Sequence, residues 1–161
     1  MKWPLLLLAL ALPAAARGKL DATDETALLD YSLTAGKIEK LVKIGERMRG
    51  YVKAHPEAKQ DGFMKGETID QRVRTVRSSP GVMEMLKAQA MEPRELVLGM
   101  LTMMQAEMLL RLRAQYPDTP LPDNVNDKNL ELTAKHGALL EKWRAAWEMG
   151  ALPASSQGTG Q

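Results

Sequence analysis

The sequence predicts an all-α domain, a bundle of four to five helices, on three observations. Ala, Leu, Met, Lys, Glu and Arg, the strong helix formers, are abundant. Aromatic residues make up only 4% of the chain, too few for the β-branched and aromatic alternation of a sandwich. Apolar residues recur at helical spacing in several segments.

The N-terminus has a different character. Lys2 supplies a positive start, Leu5 to Leu12 is an unbroken apolar run, and Ala14-Ala15-Ala16 offers small residues after Pro13. That order predicts a cleavable signal peptide over residues 1–16. The run is far shorter than the roughly 20 residues a spanning helix needs. The expected destination is the bacterial periplasm or the medium, with no membrane span after cleavage. With no cysteine in the chain, neither a lipid anchor at the cleavage site nor a disulfide is expected. Removing Lys2 leaves 21 basic against 20 acidic residues, a balance that argues against a nucleic-acid binder.

Residues 17–33 read as an acidic, weakly patterned lead-in, and residues 34–150 as the helical domain. Thr34 is a predicted N-cap. Ile38, Leu41, Val42, Met48, Tyr51 and Val52 follow at helical spacing, and His55-Pro56 stops that helix. A polar connector leads to Thr68-Ile69-Asp70-Gln71, a capping-box pattern before a short helix carrying Val73 and Val76. Ser79-Pro80 and Glu92-Pro93 each place proline at a first helical position. From Leu96 to Leu110 only Thr102, Gln105 and Glu107 are polar, so this helix is expected at the centre of the domain. The proline-marked loop Pro117 to Pro122 precedes a last helix, capped by Asn126 and expected to run to about Met149. Its inner stripe is Leu132, His136, Leu139, Trp143 and Trp147. Contacts in such a bundle are expected to be mostly local. Residues 151–161 read as a disordered, low-complexity tail.

Several strings are similar to a group of small secreted bacterial proteins thought to be helical. They are Ser79-Pro80, Met91-Glu92-Pro93-Arg94-Glu95, Gln105, Leu121-Pro122-Asp123-Asn124-Val125-Asn126, Asn129 and His136. The group's pattern opens the long helix with Thr where this chain has Glu92. The resemblance implies fold and export and brings no chemistry. Leu101-Thr102-Met103-Met104-Gln105 also resembles the L-T-x-x-Q signature of periplasmic stress-response chaperones. In that family the motif starts a helix and occurs twice; here it occurs once, in mid-helix.

Four residues are candidates for binding a ligand or partner: His136, Gln105, Thr102 and Asn129. His136 lies on an expected apolar stripe, where imidazole serves as a core hydrogen-bonder, a metal ligand or a base. Gln105 lies three residues after Thr102 and is expected to meet His136 across the core. Asn124, Asn126 and Asn129 cluster at a helix start, where amides cap turns or bind a partner. Met100, Met103, Met104 and Met108 form a thioether stripe, core filler or a soft-metal site. Met48 with His136 would be a haem-type pair by fold analogy alone. No nucleophile elbow, HExxH or phosphate-binding glycine loop is present.

The expected function is therefore non-enzymatic, with no cofactor: an exported module binding envelope or client proteins, chaperone-like. The alternative is a small-ligand, metal or haem-binding bundle built on His136.

Overall fold

The computed structural model describes residues 20–55, 65–118 and 120–147. The expected signal peptide and C-terminal tail lie outside the described residues, which contain helices and no strand. There are seven helices among them, more than the expected four to five, because the lead-in is helical and the last helix is broken.

Helix α1 spans Ala22–Asp30, inside the segment read as an unstructured lead-in. Asp21 caps it, its carboxylate accepting from the Asp24 N–H at 2.9 Å. Its periodicity is faint because its fully buried residue is an acid, Asp24, while Ala27 and Leu28 only partly cover the core. An extended linker, 31–34, leads to α2, Ala35–Ala54, where Thr34 Oγ1 accepts from the Lys37 N–H as expected. Helix α3, Ile69–Arg77, begins at the capping box: Thr68 Oγ1 accepts from the Gln71 N–H. The return bond reaches one residue further back than expected, to the Glu67 N–H at 2.7 Å.

Helix α4, Pro80–Ala88, ends in a left-handed residue, Ala90, at φ 45°. The Met91 N–H reaches the Leu86 carbonyl and the Ala90 N–H the Lys87 carbonyl, the paired bonds of a Schellman motif. Helix α5, Pro93–Gln115, starts on Pro93 without a side-chain cap from Glu92 and runs five residues past Leu110. It packs against α1, α2, α3 and α4 and against α6, Asp127–Lys135, so its expected central position is correct. Helix α7 spans Gly137–Trp147.

The main core joins α2, α3, α4, α5 and α7 through residues such as Ile38, Leu41, Ile69, Leu86, Leu96, Met103 and Trp143. A smaller cluster, Ala106, Leu109 and Leu130, seals α6 to the second half of α5. The packing of α7 on α2 turns on Gly45. A Cβ added there would lie 2.7 Å from Trp147 Nε1 and 2.8 Å from Cε2. The bare backbone lets the indole lie on α2 and donate to the Leu41 carbonyl at 3.0 Å.

This contact sets opposite expectations for two glycines of one helix. Alanine at an open helical position gains roughly 0.5–1 kcal/mol. Gly50 has nothing within 4 Å of an added Cβ, so Gly50→Ala should raise the melting temperature. Gly45→Ala should lower it, because overpacking costs about 1–3 kcal/mol and the Trp147 bond is lost. Thermal unfolding by circular dichroism decides, and equal shifts for both would remove the role given to Gly45.

Candidate functional site

The polar residues singled out from sequence do not converge on one site. His136 stands at the break between α6 and α7, with φ −104° and ψ 48°. Its N–H donates to the Leu132 carbonyl at 3.1 Å. Its own carbonyl accepts from the Leu139 and Leu140 N–H groups at 2.9 and 3.0 Å. The backbone of His136 thus closes one helix and opens the next. The side chain is half-buried at this corner and not on a continuous inner stripe as expected. Gly137 follows directly and weakens the helix at that point, a signal the sequence reading passed over. Leu139, Leu140, Trp143 and Trp147 do pack on the core.

Gln105 does not bond to His136. Its Nε2 donates to the Asn124 carbonyl at 3.4 Å, holding the proline-marked loop against α5. Thr102 is 2% exposed, and its hydroxyl has no hydrogen-bond partner among the described residues. Glu107 accepts from Arg111 at 2.6 Å and from Arg144 of α7 at 2.9 Å. Arg144 also pairs with Glu141. Gln105 and Glu107 therefore serve separate ends, a loop tether and an ion-pair cluster, and Thr102 belongs to neither.

The asparagines form the densest polar constellation. Asn129 is 4% exposed. Its Oδ1 accepts from the Leu33 N–H at 2.8 Å, and its Nδ2 donates to the Tyr31 carbonyl at 2.7 Å. A side-chain amide has the donor and acceptor of a peptide group, so Asn129 pairs with the extended linker as a neighbouring strand would. Asn126 caps α6 through the Asn129 N–H at 3.3 Å and donates to the Leu29 carbonyl at 2.6 Å. Thr133 Oγ1 donates to the Asn129 carbonyl at 2.8 Å. Asn124 is exposed and contributes its backbone carbonyl only to the Gln105 contact.

Sequence reasoning missed two further groups. Asp24 of α1 accepts from the Ile69 N–H at 3.0 Å, docking α1 on the N-terminus of α3. Burial pulls the Arg72 guanidinium below its ordinary range, and the Asp24 carboxylate opposes that shift. Tyr31 packs its ring under Lys37 Nζ, 4.5 Å from the centroid, and Lys37 donates to the Ser32 carbonyl at 2.8 Å. Glu95 lies 3.8 Å from Lys37. Burial, aided by the Glu95 charge, pushes the Tyr31 phenol above the ordinary tyrosine range. Its hydroxyl has no hydrogen-bond partner among the described residues and sits where a Cβ on Gly99 would meet it at 3.2 Å. Faint periodicity hid both groups, since each lies in or beside the short first helix.

The methionines divide by depth. Met48, Met100 and Met103 are core residues. Met104 and Met108 are half-buried on α5, and Leu112 continues their line at the same four-residue spacing. Tyr116, at the end of the helix, is 57% exposed. Among the described residues, no group of three or more His, Asp or Glu side chains could hold a metal ion. A shallow, open depression on α1 is lined by Ala22, Thr23, Thr26, Ala27 and Asp30. No helix among the described residues is long and apolar enough to cross a membrane.

Two outcomes test this picture. Asn129→Ala leaves the Leu33 N–H without its partner, at roughly 1–3 kcal/mol, and leaves the Tyr31 carbonyl with only the longer bond from Asn126 Nδ2 at 3.4 Å. It should destabilise far more than Asn124→Ala, as read by denaturant unfolding. The neutral Tyr31 phenol contributes stability that is whole below the unfolded value of about 10. That share is lost as pH rises from there through the raised folded value. An alkaline stability profile should therefore fall for the natural chain and fall less for Tyr31→Phe; identical profiles would contradict the placement of Tyr31. Comparison with protein-family models, curated proteins and solved structures finds no match to this chain.

Proposed function

We propose that this chain is an exported, non-enzymatic helical module that engages another protein, an unfolded client or an envelope component, through the half-buried face of α5 that carries Met104, Met108 and Leu112. The observation that carries the reading is the half-buried line of Met104, Met108 and Leu112, three apolar side chains on one face of the longest helix. Thioethers adapt to varied apolar surfaces because their side chains are unbranched and polarisable. The distribution of polar groups supports it as well. Asn126, Asn129, Gln105 and Glu107 are bonded to the chain's own linker, loop and helices. The apolar run Leu5 to Leu12 with its alanine-rich end supports export, and the L-T-x-x-Q resemblance favours a chaperone-like role.

The test is suppression of client aggregation by the purified mature chain. Suppression is expected near stoichiometric ratio. It should fall several-fold in Met108→Glu/Leu112→Glu, whose melting temperature should stay close to that of the natural chain. No suppression by the natural chain sinks the client-binding reading. N-terminal sequencing of protein recovered from a bacterial periplasm should begin at Arg17; an intact Met1 there would refute cleavage after Ala16.

A further inference from the structure

From the burial pattern we infer that Met104 and Met108 form a paired oxidation site, taking oxygen from peroxide to become sulfoxides that a methionine sulfoxide reductase returns to thioethers, two thiols becoming a disulfide as the oxygen leaves as water. Eleven methionines and no cysteine make thioethers the only sulfur in this chain open to two-electron oxidants. Susceptibility on this ladder follows exposure. Among the described residues, Met48 (3%), Met85 (9%), Met91 (4%), Met100 (6%) and Met103 (0%) are shielded by the core. Met104 and Met108 are half-buried. Met83 is half-buried as well and, like Met104, packs against the main core, but it lies apart on α4 with no second half-buried methionine beside it. The two α5 thioethers are four residues apart, which places their side chains as neighbours on one helix face.

The step balances without a further reactant. The sulfur lone pair attacks one peroxide oxygen and the O–O bond breaks. Hydroxide leaves and takes the proton from the transferred oxygen, giving sulfoxide and one water. Sulfur is oxidised by two electrons and the peroxide is reduced by two. The product replaces a soft apolar group with a strong dipole. Two such dipoles side by side change the α5 face from apolar to polar. This inference rests on the reading of that face as the docking surface: oxidation releases the partner, and reduction restores the surface.

The test has two arms. In the first, the full mature chain is treated with dilute hydrogen peroxide, quenched, digested and mapped by mass spectrometry. Met104 and Met108 should oxidise about tenfold faster than Met48, Met100 and Met103. Core methionines that keep pace with the α5 pair overturn the site. In the second arm, client suppression is compared before and after peroxide for the natural chain and for Met104→Leu/Met108→Leu. Leucine preserves apolar volume and cannot be oxidised. Relative to each chain's own untreated level, suppression should drop several-fold after peroxide in the natural chain, change little in the leucine variant, and return in the natural chain after treatment with methionine sulfoxide reductases and a thiol reductant. A doubly oxidised natural chain that still suppresses fully overturns the regulatory role. A chain that never suppresses aggregation removes only the docking reading, and the oxidation map then decides the site by itself.

Discussion

The structure depends on how one short piece of extended chain is taken out of water. Residues 31–34 join α1 to α2; only the Tyr31 N–H and the Thr34 carbonyl at their two ends keep helical hydrogen bonds, and Leu33 between them is buried. Backbone groups buried without partners cost more than a typical hydrogen bond contributes. Asn129 resolves this by presenting one acceptor to Leu33 and one donor to Tyr31. The amide is held in place from both ends of its own residue, by Asn126 at its N–H and Thr133 at its carbonyl. Because the linker is fixed to α6, α1 is fixed to the body, and Asp24 can reach the start of α3. Tyr31, turned toward α5, then fills the space that Gly99 leaves open.

The polar content of the centre follows from the same accounting. A helix apolar on nearly all sides must still explain each polar residue it carries. Glu107 and Gln105 are explained by contacts at the rim of the bundle, with Arg144 and with the loop carbonyl of Asn124. Thr102 lies deeper and has no such contact among the described residues. Its burial leaves the hydroxyl without the partner a buried polar group ordinarily has. The centre is thus a packing element, and the line of Met104, Met108 and Leu112 along it is half-buried.

Much of the architecture was legible in the sequence because it was written in local signals. Thr34, Thr68, Asn126, Pro80 and Pro93 each mark a helix start, and each stands at one. The central position of α5 followed from its missing polar face. What escaped was non-local or contrary to pattern. Helix α1 buries an acid, so apolar periodicity could not reveal it. The turn at His136 carries no proline, and a stripe continuing smoothly on both sides of it concealed the change of direction. The supposed meeting of Gln105 and His136 assumed an unbroken last helix; once the helix turns, Gln105 bonds to the loop instead. The asparagine cluster was visible as a cluster. Its true partner, a linker nearly a hundred residues earlier, was not.

That separation has a consequence for how the chain becomes a fold. Trp147 bonds to the Leu41 carbonyl across 106 residues, and Asn129 reaches Leu33 across 96. Contacts of this span carry a loop-closure cost that local helix formation does not share. A chain emerging N-terminus first therefore presents α2 to α4 and α5 before the α7 surface that covers Gly45 exists. Until residue 147 arrives, α2 keeps an apolar groove at Gly45 and the linker keeps bare peptide groups. The two ends of the domain meet as a clasp, closed where α7 lies on α2 and where α6 holds the linker.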